Sequence, residues 1–133
     1  MNDRYLYRAK RKSDKRWIYG NLIHTDDGVY IIQNYVPQHL IGNYEVDPST
    51  ICQCTGLRDK NGKLICENDI MVAHLDDIFP EDATYTRVVW NNNGFFTKEQ
   101  GSEDILPLDK FEQENFEVCG NIFDNPELLE VGE

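Results

Sequence analysis

Glu67 and Asp69 are the residues of this sequence whose types and spacing are best suited to chemistry. They stand two positions apart, so on a β-strand both side chains would point to the same face. A small hydrolase uses such a carboxylate pair for acid–base chemistry. The alternative role is structural, because aspartate commonly accepts hydrogen bonds from backbone N–H groups of an adjacent turn. We favour the structural role for Asp69 and keep a small hydrolase as an alternative function.

Other carboxylates occur as adjacent pairs in predicted turns and loops. Catalytic pairs need burial or close opposition to separate their pKa values, whereas neighbouring loop carboxylates are typical of a solvated surface. A weak calcium site in residues 76–82 would lack the alternating, glycine-spaced ligands of a dedicated calcium loop. We therefore predict no metal site at any of these pairs. The pairs are Asp26-Asp27, Asp76-Asp77, Glu81-Asp82 and Glu103-Asp104.

The remaining reactive residue types have no spacing that predicts an activated nucleophile or a cofactor. The three serines fall in predicted loops, and Gly56 and Gly62 lack the pattern and the following helix of a phosphate-binding loop. The four cysteines have no zinc-like spacing and are typical of small apolar side chains in strands. We therefore predict no catalytic residue, no metal and no cofactor. The cysteines are Cys52, Cys54, Cys66 and Cys119.

Charge is distributed unevenly along the chain. The net charge is −11, yet residues 1–18 hold seven basic and two acidic side chains, which leaves the other residues at −16. A strongly acidic body disfavours binding to nucleic acid or anionic lipid. We expect the basic residues to lie against acidic surface of the same chain or of a neighbouring copy, and so predict a homo-oligomer. A nucleic-acid-binding module is the alternative. The candidate basic residues are Arg8, Lys10, Arg11 and Lys12.

Several aromatic residues lie near predicted turns and are candidates for a binding surface. Trp90, Phe95 and Phe96 flank the predicted turn at residues 91–94, and Phe79 lies in a predicted acidic loop. In a small β domain such rings form a stacking platform for a base or a peptide. The alternative, which we favour, is core packing across a hairpin, because most aromatics in strands are buried.

Short strands separated by turns about every ten residues predict a mainly β fold, with a β-rich α+β fold as the alternative. The strongest strand prediction covers residues 29–36. Asn61-Gly62 predicts a tight type I′ turn or a small loop of the same handedness, and Asn125 and Pro126 predict an N-cap and the start of a short helix. We expect an N-terminal sheet in residues 1–50 and a small SH3-like closed barrel in residues 51–133, within one compact domain.

The chain has no recognisable membrane or export signal. No apolar run approaches the roughly 18 residues needed to span a bilayer. The basic N-terminus is not followed by an apolar segment, so the sequence predicts no secretory signal. We expect a cytoplasmic protein without membrane contact.

Two segments carry a resemblance to a known family. The first runs from Thr55 to Ile70 as Thr-Gly-Leu-Arg-Asp-Lys-Asn-Gly-Lys, then Glu-Asn-Asp-Ile, and the second is Gly-Asn-Ile-Phe-Asp-Asn-Pro-Glu-Leu from Gly120 to Leu128. With an aromatic–basic strand at residues 5–9, this order resembles the YopX family, small proteins encoded mostly in phage and prophage regions of bacterial genomes. The resemblance implies a β-rich fold, a bacterial host cell and a host or phage protein as partner. It implies no assigned activity, substrate or catalytic residue.

Asn68 stands where the family pattern has glycine. Cys66, Phe123 and Asp124 also depart from it, replacing an aromatic, a tyrosine and a glutamate. Where a backbone needs positive φ, asparagine is the next best residue after glycine, so we predict that Asn68 lies in the left-handed region. We expect the polar residues and glycines of both segments to bend the main chain. This structural turn set is Gly56, Asp59, Asn61, Gly62, Asn68, Asp69, Gly120, Asn121, Asn125 and Pro126.

Overall fold

The computed structural model describes residues 6–33, 36–74 and 83–130, which form a mainly β structure. The chain divides into two compact units, Met1–Gly56 and Leu57–Glu133. The predominance of strands in both units confirms the mainly β fold class. Some predictions concern residues outside the described part: the basic residue Arg4, the strand residues Tyr5, Asn34 and Tyr35, the aromatic Phe79, and the calcium candidate in residues 76–82.

The first unit contains strands in the order β3-β2-β1-β4, which belong to a five-stranded sheet whose last strand is β5. Its core is formed by Ala9, Ile31 and Val46, which are at most 1% exposed. Alternation along β1 and β3 points the side chains of Ala9 and Ile31 to one face. The elements are β1 (Tyr7–Lys10), β2 (Trp17–Thr25), β3 (Gly28–Ile32), two 3₁₀ turns (Gln38–Tyr44 and Pro48–Thr50), and β4 (Cys52–Arg58), which continues into the second unit.

The second unit holds an antiparallel sheet in the order β10-β6-β7-β8-β9. Its core includes Met71, Val88 and Phe116, which come from β6, β7 and the residue after the one α-helix of the described part. The elements are β5 (Leu64–Cys66), β6 (Asp69–His74), β7 (Ala83–Asn91), β8 (Gly94–Glu99), β9 (Ile105–Pro107), α1 (Lys110–Asn115), β10 (Glu117–Asn121) and a 3₁₀ turn (Pro126–Leu129).

This second sheet is open, which differs from the closed SH3-like barrel that the sequence predicted. Its edge strands are β9 and β10. β9 is only three residues long, and the register of β10 shifts between Val118 and Gly120. Short strands and bulges are common ways of ending a sheet without exposing a long unpaired edge, so closure is not needed to protect this unit.

The observed turns agree with the predictions from the sequence more closely than the second sheet does. β7 and β8 are joined at Asn92, with φ +56. The loop after β4 is the small alternative rather than a type I′ turn, because Gly62 has φ +85 whereas Asn61 does not have positive φ. The predicted C-terminal helix is a single 3₁₀ turn, and Asn125 at its N-cap position makes no capping hydrogen bond with its side chain.

Two further findings bear on function. No helix in the described part of the chain is long and apolar enough to cross a membrane. No disulfide joins the four cysteines within the described residues, and Cys52, Cys54 and Cys66 are buried whereas Cys119 is exposed.

Candidate functional site

Asp59 holds the first turn of the family-like segments in place. Its Oδ1 accepts hydrogen bonds from the N–H groups of Asn61 at 2.9 Å and Lys63 at 2.8 Å. Its Oδ2 accepts one from Val118 N–H on β10 at 2.8 Å. The carboxylate is 6% exposed and is directed at the protein's own amides, so it has a structural role.

Glu67 and Asp69 differ in their burial. Asp69 is 1% exposed and its Oδ2 accepts the N–H of Cys66 at 2.7 Å, which confirms the predicted turn contact. Asn68, between the two, has φ +71 as predicted, and its Oδ1 accepts a hydrogen bond from Arg87 at 3.1 Å. Glu67 is only partly buried. Because the Asp69 carboxylate is directed at a backbone N–H group of its own turn, it is poorly placed to share a substrate with the partly buried Glu67.

The second segment is built in the same way around Asn121. Its Oδ1 accepts the N–H groups of Phe123 at 3.0 Å and Asp124 at 2.9 Å. The Oδ1 of Asn125 in turn accepts the N–H of Asn121 at 3.3 Å. Asn125 approaches so closely that a Cβ added to Gly120 would collide with that oxygen. This approach explains why residue 120 has no side chain.

The basic candidates are engaged within the first unit. Arg8 is 4% exposed and its guanidinium lies 4.8 Å from the ring centroid of Trp17. Lys10 approaches the same ring at 5.5 Å. Arg11 forms an ion pair with Asp14, and Lys12 forms one with Glu45 at 3.0 Å. Because each of the four side chains already makes one of these contacts, the set is poorly placed to bind a phosphate backbone.

The three aromatic candidates do not form one platform. Trp90 and Phe95 are paired in register and their rings meet edge to face at 5.0 Å. Phe95 also packs against the core of the second unit. Phe96 follows Phe95 on the strand and therefore points to the opposite face of the sheet. A shared stacking surface for all three is not present, because neighbouring strand residues alternate.

A groove in the second unit is a feature that the sequence did not indicate. It has a volume of about 360 Å³ and lies between α1 and the β7-β8-β9 face. Thr86 faces Glu99 in register and Thr97 faces Leu106, so strand pairing brings four lining residues together. Leu106 and Phe111 at its edge are 60% and 57% exposed. The lining residues are Thr84, Thr86, Thr97, Glu99, Ser102, Asp104, Leu106, Phe111, Glu112 and Phe116.

The groove is lined by both apolar and acidic residues. Glu99, Asp104 and Glu112 are among its lining residues in the described part, and none of those lining residues is basic. Desolvation raises the pKa of Glu112, and the neighbouring Asp109 side chain raises it further. The Oγ1 of Thr86 is buried and has no hydrogen-bond partner among the described residues. A buried hydroxyl without a partner costs free energy.

The sequence signal for this groove is present but weak. Thr84, Thr86 and Val88 alternate on β7, and Thr97 and Glu99 alternate on β8, so each pair shares a face. The alternation alone does not show which strand lies next to which, or that α1 covers the same face.

The exposed thiol offers no nucleophilic alternative. Partial desolvation raises the pKa of Cys119, and the charge of Glu117 raises it further. Its Sγ donates to the carbonyl of Ile70 at 3.4 Å. A raised pKa keeps the thiol protonated, and only the thiolate is a strong nucleophile.

Comparisons with known proteins agree with this architecture. A family model described as YopX protein matches residues 6–130. The crystal structure of protein EF1440 from Enterococcus faecalis is similar, with a TM-score of 0.63 and 24% sequence identity, over 93% of this chain and 96% of that one. At that identity the likeness concerns the fold alone. No curated protein matches the sequence.

Proposed function

The chain belongs to the YopX family, and we propose that it is a non-catalytic, phage- or prophage-type accessory protein that acts through protein–protein contacts, including self-association. The groove between α1 and the β7-β8-β9 face is its contact surface. The observation that carries this proposal is a concave groove lined by the exposed side chains of Leu106 and Phe111 and by Thr86, whose buried hydroxyl has no partner among the described residues. Exposed apolar residues around a concave site are typical of binding surfaces.

The polar residues of the two family-like segments support a binding role over a catalytic one. Asp59, Asp69 and Asn121 are at most 9% exposed, and each accepts backbone N–H groups of its own turn. A hydrolase at Glu67 and Asp69 would require Asp69 to leave Cys66 N–H. Nucleic-acid binding through residues 8–12 would require Arg11 and Lys12 to exchange Asp14 and Glu45 for phosphates.

Light scattering after size exclusion, at low and high salt, tests the proposal. We expect the wild-type chain to have a mass above that of its 15.5 kDa monomer, and the groove variant Leu106→Asp/Phe111→Asp to lose this association. Leu40→Asp is the matched control, because Leu40 is an exposed leucine, at 42%, outside the groove. A wild-type monomer at every salt concentration would remove the self-association part.

The same variants test contact with other proteins. Purified wild type, Leu106→Asp/Phe111→Asp and Leu40→Asp would be used as baits in lysate from prophage-induced bacteria. A partner retained by wild type and Leu40→Asp but lost from the groove variant supports the proposed surface. Equal recovery on all three baits would place the contact elsewhere and overturn the role of the groove.

A further inference from the structure

We propose that the groove of one copy binds the basic turn of a second copy, residues 11–16, with Lys15 and Arg16 as the inserted side chains. This inference rests on the proposed function and names the occupant of its contact surface. It joins the exposed cations of the β1–β2 hairpin to the acidic, partly apolar groove of another molecule. If two copies exchange this contact reciprocally they form a two-fold dimer, and otherwise the contact produces a larger ring or an open chain of copies.

The basic turn presents two exposed cations, Lys15 and Arg16, which are attracted to Asp47 and Asp14 of their own unit without a direct ion pair among the described residues. Arg11 and Lys12 are paired with Asp14 and Glu45. The side chains of Lys15 and Arg16 are exposed, and within the described residues neither takes part in an ion pair. Segment 1–18 is also net positive in a chain whose total charge is −11, so it is well suited to contact the acidic surface of another copy.

The turn is held in a defined shape, which lowers the entropy lost on binding. Lys15 has φ +63 and its N–H donates to the carbonyl of Arg11 at 3.0 Å. The N–H of Arg16 donates to Asp14 Oδ1 at 3.0 Å. The contact with Arg11, with help from Arg16 N–H, lowers the pKa of Asp14 to about 2, so the ionised carboxylate that organises the turn persists at neutral pH.

The groove has the features that a long basic side chain requires. Lysine and arginine lay their aliphatic stems on apolar surface while the charged head seeks polar groups, and here Leu106 and Phe116 are apolar while Glu99 and Asp104 are exposed acids. The exposed ring of Phe111 suits a guanidinium. The hydroxyl of Thr86 is an acceptor without a donor among the described residues. The volume of about 360 Å³ lies at the small end of ligand sites, which measure roughly 300–1,000 Å³.

A charge exchange between two variants tests this contact. In Lys15→Glu/Arg16→Glu the turn becomes acidic, and in Glu99→Lys/Asp104→Lys the groove becomes basic. Each variant alone opposes like charges, so we expect association at least about tenfold weaker than wild type. Mixed in equal amounts, the two variants match at both contacts, and light scattering should show a mass of at least twice 15.5 kDa.

Control variants carry the same change of net charge at other exposed sites. Lys60→Glu/Lys63→Glu matches the turn variant, and Asp26→Lys/Asp27→Lys matches the groove variant. The Asp26-Asp27 turn lies at the other end of β2, separated from Arg16 by the nine residues of that strand, or about 30 Å along a strand. The contact is supported if the exchanged mixture associates while the mixed control variants associate no more strongly than wild type does.

Two results would overturn it. One is exchanged variants that each associate as wild type does. The other is an exchanged mixture that stays monomeric. If Leu106→Asp/Phe111→Asp still abolishes association or partner capture in those cases, the groove remains the contact surface and only its occupant is wrong.

Discussion

The carboxylate of Asp59 joins two parts of the sequence 59 residues apart: its Oδ2 accepts the N–H of Val118 at 2.8 Å. The other oxygen holds the turn that follows β4, through Asn61 and Lys63. A single buried side chain therefore fixes both the shape of this turn and its position against β10.

Replacing Asp59 should lower stability. Asp59→Ala removes an acceptor from three backbone N–H groups, and one hydrogen bond to a charged group contributes roughly 1.5–3 kcal/mol. We expect the free energy of unfolding to fall by about 2–4 kcal/mol, measured by urea denaturation. Asp26→Ala, in an exposed turn, is the control and should change it by less than about 0.5 kcal/mol. Equal effects would show that the Asp59 contacts contribute nothing beyond a surface residue.

The backbone at Asn68 should prefer glycine to alanine. Asn68→Gly and Asn68→Ala both lose the side-chain contact with Arg87, so the difference between them isolates the cost of φ +71. A left-handed non-glycine residue costs roughly 1–2 kcal/mol, and we expect the glycine variant to be more stable by about that amount. Denaturation midpoints at constant m-value provide the measurement, and two equally stable variants would contradict the assigned conformation.

Gly120 and Asn125 should be energetically coupled. In Gly120→Ala the new Cβ meets Asn125 Oδ1, and overpacking of this kind costs roughly 1–3 kcal/mol. In Gly120→Ala/Asn125→Gly the opposing oxygen is absent, so we expect the double variant to lose less than the sum of the single variants. A double-mutant cycle should give a coupling of at least about 0.5 kcal/mol, and strict additivity would refute the contact.

The hydroxyl of Thr86 should cost stability in the free protein. Thr86→Val keeps the shape of the side chain and removes a buried group without a partner among the described residues. We expect a gain of about 1 kcal/mol in the free energy of unfolding, together with weaker association. Thr97→Val is the matched control, because the Thr97 hydroxyl has a partner at 3.5 Å, the carbonyl of Leu106, and its loss should not stabilise. A destabilised Thr86→Val would show that the hydroxyl is already satisfied.

Glu112 and Asp14 should give stability opposite dependences on pH. Desolvation raises the pKa of Glu112 above its ordinary value of 4.5, so the folded state binds the proton more tightly. The contribution of Glu112 is greatest below pH 4.5 and declines as pH rises through the raised pKa. Glu112→Gln should remove that decline. Because its amide oxygen still accepts the N–H of Asp109, the helix cap is kept.

The pKa of Asp14 is lowered from 3.8 to about 2, so its contribution is present above pH 3.8 and is lost as pH falls towards 2. Asp14→Asn should therefore alter stability chiefly above pH 2 and flatten the acid limb. Thermal unfolding of both variants from pH 2 to 8 separates the two groups. Identical pH profiles for wild type and Glu112→Gln would contradict the raised pKa.

The mainly β class and the Asp69 turn contact followed from the residues of this sequence and their near neighbours, whereas the left-handed Asn68 followed from the glycine that the resembled family has at this position. Strand alternation and the preference of asparagine and glycine for positive φ act within a few residues. The roles of Asn68 and Asp69 could therefore be predicted without knowing what they pack against, whereas the contact between Gly120 and Asn125 could not.

Contacts between distant segments were decided only by the tertiary structure. The open second sheet depends on which strands β9 and β10 pair with. The groove depends on the position of α1 across β7, β8 and β9. The bond from Asp59 to Val118 spans 59 residues. Such contacts form when burial and strand pairing over the whole unit offset the entropy cost of closing the intervening loops. No local window of sequence contains both partners.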